Sequence, residues 1–298
     1  MRNRVLFLLF AVCAVFSVWT GCTDLTVSSE EKILVCGDHF VYIVDAKRST
    51  ADSAVILWEW NAHEAMDLPE SMRARNFNSI DDCKVFDNGN RMMISSSSGA
   101  VTILDIDSKQ VQFYAEVPNA HSIEILPGNR LAAAASTHQM GNKLLVFDIE
   151  NKDLLFEDSL YSAHGVVWDP KRNGLYALGY DVLRFYTDQD NGQMNLDREW
   201  AIPGESGHDL SLTPDGNHLL LTEHTGAWIF DIERESFGKI DGFPDAENIK
   251  SLVLNQKGQY VYTEPEESWW TYHVSFHNPA QKIPFPGMKV YKARWFAP

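Results

Sequence analysis

The chain has 298 residues and carries 41 acidic against 25 basic ones, for a net charge of −16. Nucleic acids and anionic lipid surfaces attract clustered lysine and arginine, and no basic run occurs along the sequence, so nucleic acid is excluded as a partner. The length and the hydrophobic fraction of 45% are those of one extracytoplasmic globular domain.

The N-terminus has the pattern of a lipoprotein signal peptide. A basic start, MRNR, precedes an apolar run at 5–18 that is too short to span a bilayer. The next residues, VWTGC, resemble a bacterial lipobox, although Trp19 replaces the usual Leu-like residue. The sequence therefore predicts a signal peptide at 1–21, a lipid on Cys22, a polar tether at 22–32 and one folded domain at 33–298. Cleavage of an ordinary secretory signal nearby is the alternative.

The first folded segment predicts a blade that lacks one strand. Residues 33–46 (ILVCGDHFVYIVDA) look like second and third strands, and residues 54–60 (AVILWEW) like a fourth. We expect residues 289–296 (KVYKARWF) to supply the first strand, because closing a ring with both termini removes open sheet edges. Residues 62–75 are interpreted as a long loop with at most a short helical turn, since Pro69 interrupts a helical period.

The remaining chain repeats a strand–turn–strand pattern. The segments SIDDCKVFDNGNRMMIS, NAHSIEILPGNRLAAAA, SAHGVVWDPKRNGLYAL, SGHDLSLTPDGNHLLLT and NIKSLVLNQKGQYVYT align on their turn glycines, and further strands ending near Asp follow them. A period of roughly 40–45 residues is typical of four-stranded propeller blades. The sequence therefore predicts an all-β, six-bladed β-propeller of antiparallel blades. Cys36 and Cys83 fall on adjacent blades, where either a disulfide or two buried thiols fits.

One column of this alignment carries ionisable side chains at the start of each inner strand. Its members are Asp81, His121, His164, His208 and Lys250, with Lys292 or a neighbour as the sixth. In a propeller the inner strands line the central channel, so the column predicts a ring at one channel mouth. Surrounding loops are expected to add ligand-binding residues to Asp81 and Lys250, namely His138, Glu223, His224, Trp269 and Trp270.

Three kinds of chemistry fit the histidine column. Converging neutral imidazoles bind a divalent transition metal, with His121, His164 and His208 as ligands and Asp81 beside them. Alternatively, His164, His208 or Lys250 serves as a catalytic acid or base at a metal-free site. The third interpretation is structural, with the histidines hydrogen-bonding the channel. Trp269 and Trp270 offer an aromatic platform for a sugar, although one of them fits the core equally well.

Several phrases resemble an uncharacterised family of bacterial exported propeller lipoproteins. They include CGDHFVYIVD, ILWEW, SSSSGAVTILD, VPNAHSIEILPGNRLAAAAS, SAHGVVWD, LYALGYDVLRFY and SWWTYHVSF, spread over residues 33–278. The resemblance implies a six-bladed propeller that is lipid-anchored in the cell envelope of a Gram-negative-type bacterium, on its periplasmic or outer surface. It implies no activity. A histidine-lined axial site is also similar, in architecture alone, to propeller polysaccharide lyases that use a metal against uronate sugars.

Three functions therefore remain open at this stage. The first is an exported lipoprotein that binds a small anionic or carbohydrate ligand in the axial pocket, with or without metal. The second is a metal- or histidine-assisted lyase or hydrolase that acts on acidic glycan fragments. The third is a protein-interaction scaffold. In each case the predicted contact with the membrane is the lipid on Cys22 alone.

Overall fold

The structure is a computed structural model that describes residue 28 and residues 31–189 and 192–297. The predicted signal peptide, 1–21, and the predicted lipidation site, Cys22, lie outside the described residues. No helix in the part of the chain that the structure describes is long and apolar enough to cross a membrane.

The described residues form 24 strands in six four-stranded antiparallel sheets, which confirms the predicted six-bladed propeller. Each sheet is one blade, and its strands follow one another from the channel outwards. In chain order the strands are β1 (Lys32–Gly37), β2 (Phe40–Asp45), β3 (Val55–Asn61), β4 (Ile80–Phe86), β5 (Arg91–Ser96), β6 (Ala100–Asp105), β7 (Val111–Glu116), β8 (Ala120–Leu126), β9 (Arg130–Ala135), β10 (Lys143–Asp148), β11 (Leu154–Ser159), β12 (Gly165–Asp169), β13 (Gly174–Leu178), β14 (Val182–Asp188), β15 (Met194–Ala201), β16 (Asp209–Leu212), β17 (His218–Glu223), β18 (Gly226–Asp231), β19 (Ser236–Lys239), β20 (Ser251–Leu254), β21 (Tyr260–Thr263), β22 (His273–His277), β23 (Gln281–Pro284) and β24 (Val290–Trp295).

The first blade closes the ring with strands from both ends of the chain. Its order is β24-β1-β2-β3, and the register pairs Ile33 with Trp295 and Val35 with Ala293. At Gly37 the two strands shift register, and a Cβ there would overlap the carbonyl oxygen of Lys289, so glycine is required at this approach. The predicted closure by residues 289–296 is confirmed.

The core consists of apolar layers between neighbouring blades. Leu34 and Met92, for example, belong to a cluster shared by the first two blades, and Val166 packs with Ala134 between the third and fourth. The inner strands β4, β8, β12, β16, β20 and β24 contact one another in a closed ring. Strands rich in Val, Ile, Leu and Ala therefore bury both faces, as stacked blades require.

The loop at 62–75 and the two cysteines of the first blades are the remaining local features. The loop at 62–75 holds a 3-10 turn, Ala62–Glu64, and a short helix, α1 (Glu70–Arg75). Pro69 caps the start of this helix instead of interrupting it, because the first helical turn needs no N–H from that position. A further 3-10 turn spans Asp87–Gly89. Cys36 and Cys83 are buried free thiols.

Candidate functional site

A cavity of about 430 Å³ opens at one mouth of the channel. The starts of all six inner strands contribute to it, because each blade enters the ring at this face. The sixth member of the predicted column is Tyr291, the neighbour of Lys292. The cavity is lined by Ser79, Asp81, Ser97, Asn119, His121, Ser136, Thr137, Ser162, His164, Ser206, His208, Lys250, Trp269, Trp270 and Tyr291.

A short polar turn precedes four of the site residues. Two positions before His121, His164, His208 and Lys250 the backbone is left-handed, with φ between 51° and 64°. Asn and Ser tolerate this conformation better than branched residues do. The residues at those turns are Asn119, Ser162, Ser206 and Asn248.

The three histidine rings lie side by side. The ring centroids of His121 and His164 are 4.2 Å apart, and those of His164 and His208 are 5.7 Å apart, both in edge-to-face contact. The structure therefore brings together the three histidines that the repeat predicts at one mouth.

The partners of the ring nitrogens assign the tautomers. Nδ1 of His121 lies 3.1 Å from the carbonyl oxygen of Asn119, and Nδ1 of His164 lies 2.8 Å from that of Ser162. A carbonyl only accepts, so both Nδ1 atoms carry the proton and both Nε2 atoms keep a lone pair. Nε2 of His208 instead lies 2.7 Å from Nζ of Lys250, which donates to it. The Nδ1–H of His208 is buried and has no hydrogen-bond partner among the described residues.

Burial keeps all three imidazoles neutral at neutral pH. It is the first cause that lowers the pKa of His164 to about 4 and holds the pKa of His121 well below its ordinary value. Burial and the adjacent Lys250 amine lower the pKa of His208. Neutral imidazoles accept and donate hydrogen bonds without adding charge, so they suit a polar ligand of either sign.

Two other groups change charge close to neutral pH. Burial raises the pKa of Asp81 to about 7 against the opposing effect of hydrogen bonds from Ser97. An oxygen of Asp81 lies 3.9 Å from Nε2 of His121. Burial, followed by the positive charge of Lys292, lowers the pKa of Lys250 to about 7. The cavity therefore holds a carboxyl and an amine that can each exchange a proton under ordinary conditions.

A buried network of charged side chains forms the floor beneath the histidines. Nζ of Lys292 donates to Asp209 at 3.0 Å and to the carbonyl oxygen of His121 at 3.1 Å. The guanidinium of Arg294 donates to Asp82 at 2.8 and 3.0 Å and to Asp209 at 2.7 and 2.9 Å. The network separates the mouth from a cavity of about 220 Å³ that is lined by Lys84, Glu124 and Arg294 further along the inner strands.

The histidine column alone does not predict this floor, although the alignment contains a signal for it. The column immediately after the histidine column holds Asp82, Ser122, Asp209 and Lys292, which are buried and polar. β-bulges at Asp81 and His121 shift the register of their strands, so the residues on either side of them do not simply alternate. Two consecutive polar columns in a channel strand therefore indicate two layers of side chains.

Aromatic side chains form one rim of the cavity. Trp269 is 63% exposed, and its ring centroid lies 5.5 Å from Nζ of Lys250. Trp270 is half-buried and stacks under Nζ of Lys289 at 4.2 Å. Both tryptophans therefore line the mouth, and the ring of Trp269 is open to solvent.

Three residues that the sequence predicts at the mouth do not line this cavity. Glu223 is fully buried, and its carboxylate accepts from the N–H of Thr225 at 2.7 Å and from Nε1 of Trp228 at 2.8 Å. His138 lies in an exposed loop, where Nδ1 accepts from the N–H of Met140. The backbone N–H of His224 donates to Glu205. The side chains of Glu223 and His138 are thus engaged by neighbours in their own blades and not by groups of the cavity.

The histidines do not offer three free nitrogens to a metal. Lys250 engages Nε2 of His208, and Nδ1 of that ring carries the proton. Among the residues that the structure describes, no group of three or more His, Cys, Asp or Glu side chains is arranged to hold a metal ion. Binding of a divalent metal by His121, His164 and His208 stays a prediction from the sequence.

The chain belongs to a family of unknown function, DUF6528, whose model matches residues 5–297. A comparison with curated proteins finds no match. A solved structure with a similar fold is "Dihydro-heme d1 dehydrogenase NirN in complex with DHE", with 15% identity and a TM-score of 0.50. The alignment covers 91% of this chain, which spans 55% of that one. At this identity the likeness shows the propeller fold alone.

Proposed function

We propose that the axial mouth binds a small ligand that is anionic, a carbohydrate, or both. The observation that carries the proposal is the cavity of about 430 Å³, in which side chains from all six blades converge. Concave sites with a few convergent polar groups and perturbed pKa values are the usual location of ligands. The mouth is concave, which favours a small ligand over a flat protein-interaction surface.

The side chains match the chemistry of an acidic sugar. Trp269 offers an exposed ring face, on which the apolar face of a sugar stacks. Serine and threonine hydroxyls, with the neutral histidines, supply donors and acceptors for sugar hydroxyl groups. Lys250 supplies a donor for a carboxylate. That the NirN structure is a complex with DHE supports ligand binding by a propeller of this shape, without indicating the ligand here.

A second candidate is an enzyme that acts on acidic glycan fragments as a lyase or hydrolase. The observation in its favour is that Asp81 and Lys250 both have a pKa of about 7 in one cavity. Proton transfer is most efficient when the catalytic pKa lies near the working pH. In this role the carboxyl of Asp81 and the amine of Lys250 move protons, while the neutral histidines position the substrate.

Calorimetric titration with D-glucuronate and D-glucose tests the binding proposal. We expect glucuronate to bind and glucose to bind more weakly, because the mouth presents the amine of Lys250 to the carboxylate. His164→Ala and Trp269→Ala should each abolish or strongly weaken binding with little change in thermal stability. His138→Ala is the matched control, because this histidine lies outside the cavity, and it should bind like the parent. Parental affinity in both mouth variants would show that the cavity is not the site.

We further propose that the protein is exported and anchored in the bacterial cell envelope by a lipid on Cys22. This proposal is supported by the basic start, the short apolar run and the Gly21-Cys22 pair. It places the mouth in a compartment where glycan fragments of the envelope or of the surroundings are accessible.

A further inference from the structure

The three lysines of the channel differ in their partners. Nζ of Lys84 pairs with Glu124 at 2.9 Å, and Nζ of Lys292 pairs with Asp209 at 3.0 Å. Nζ of Lys250 has an imidazole nitrogen, Nε2 of His208, as its hydrogen-bond acceptor. Among the described residues Lys250 forms no ion pair with a carboxylate, although it lines the cavity. The channel thus holds two lysines that are paired with carboxylates and one whose amine contacts an imidazole instead.

We propose that Lys250 forms a covalent imine with the carbonyl group of the bound ligand. The inference rests on the proposed ligand-binding function and deepens it, because it names an aldehyde or ketone as the reactive group of the ligand. Lysine amines form Schiff bases with carbonyl compounds when they are desolvated or lie near another cation. Lys250 is 2% exposed and lines the mouth cavity, so its amine is desolvated but faces the bound ligand.

Imine formation uses the lone pair of the Lys250 amine, and His208 orients this amine. The lone pair of Nζ attacks the carbonyl carbon, and the π electrons move to the carbonyl oxygen. Both hydrogens on nitrogen then end on that oxygen, which departs as water and leaves a C=N bond. An amine and a carbonyl therefore give an imine and water, with no oxidant or reductant. Nε2 of His208 holds one N–H of the amine, so His208 acts as a positioning residue that orients the lone pair.

The amine of Lys250 and the ring of Trp269 together define the class of ligand. A sugar with a free reducing end opens to an aldehyde, and a uronate carries a carboxylate on the same molecule. Trp269 stands 5.5 Å from Nζ of Lys250, so a carbon chain that lies along this ring can reach the amine. A reducing uronate can both stack on Trp269 and react with the amine of Lys250. A glycoside of the same sugar can stack on Trp269 but cannot react, because its ring does not open to an aldehyde.

Reductive trapping tests the proposal on the complete protein. D-glucuronate is incubated with the protein and sodium cyanoborohydride at pH 7, and the adduct is located by intact mass and peptide mapping. Methyl β-D-glucuronoside is the matched probe, because it keeps the carboxylate and the ring but has no free aldehyde. We expect one stable adduct on Lys250 with glucuronate and none with the glycoside. Lys250→Arg keeps a long side chain with N–H donors at this position and should lose the adduct, and exposed Lys152 should remain unmodified.

Each result decides between the imine and simple binding. An adduct confined to exposed lysines, or no adduct although calorimetry shows that the glycoside binds, overturns the imine and leaves the proposed binding function intact. Failure of both sugars to bind or react overturns both proposals for this sugar class. If Lys250→Arg does not fold, the peptide map of the parent protein still decides, because it shows directly whether Lys250 carries the sugar.

Discussion

Replacing Arg294 with methionine tests whether the floor of the cavity is an energetic unit. The guanidinium of Arg294 makes four hydrogen bonds to the carboxylates of Asp82 and Asp209, and all three side chains are buried. With Lys292 they form a set of two positive and two negative groups. The variant Arg294→Met fills similar space but leaves the set with an uncompensated negative charge.

The expected loss follows from the burial of that charge. Removing one partner of a buried ion pair costs about 3–5 kcal/mol, because the remaining charge has already lost its contact with water. A domain of ordinary stability has about 5–15 kcal/mol in total, so the variant should unfold at much lower urea concentration. Adding Asp82→Asn restores neutrality, since Asp209 still pairs with Lys292. The double variant should therefore be more stable than Arg294→Met alone.

Urea unfolding followed by tryptophan fluorescence measures both effects. Arg234→Met is the matched control, because Arg234 is exposed and pairs with Asp231 at the surface. Exposed ion pairs are screened by water and contribute little to stability, so this control should unfold like the parent. The reasoning is refuted if Arg294→Met stays within about 1 kcal/mol of the parent, which is typical of a surface substitution. It is also refuted if Asp82→Asn makes Arg294→Met worse.

Three further outcomes follow from the site and the N-terminus. The pKa of Asp81 rises from 3.8 to about 7 on folding, so between these pH values the carboxyl ionises more readily in the unfolded state and the protein loses stability as pH rises. Urea unfolding should therefore show that the stability of Asp81→Asn increases relative to the parent as pH rises through this window. A constant difference would exclude the buried carboxyl as the cause. Lys250→Met frees Nε2 of His208, so added Zn²⁺ should raise the melting temperature of this variant more than that of the parent. An equal or larger shift in the parent would show that the lysine does not block the metal. Cys22→Ser should move the protein from the membrane fraction to the soluble fraction with its melting temperature unchanged, and persistent membrane association would reject the lipid anchor.

Much of the fold is readable from the sequence because one blade is one repeat. The turn glycines set the period, and the blade that begins with residues 33–46 lacks a first strand, which residues 289–296 can supply. The position of the three histidines around the channel follows from the same period, since each member of their column lies at the start of an inner strand. These features depend on spacing alone, which a repeat preserves even when the side chains differ.

The parts that the sequence did not reveal depend on single-residue geometry. The sixth column member could be read only as Lys292 or a neighbour, and the structure places Tyr291 at the mouth and Lys292 in the floor. Glu223 was expected at the mouth, but donors two and five residues later fold its carboxylate into its own blade. Bulges and local hydrogen bonds decide such directions, and neither changes the spacing of a repeat.

The floor and the mouth are linked through Lys292. Its Nζ donates to the carbonyl oxygen of His121 and to Asp209, so it holds the backbone of the histidine layer against the ion network. Its charge also contributes to lowering the pKa of Lys250. The network that stabilises the ring therefore also contributes, after burial, to the lowered pKa of the amine above it. A change in the floor that leaves the fold intact should consequently shift the pH dependence of chemistry at the mouth, although no floor side chain lines that cavity.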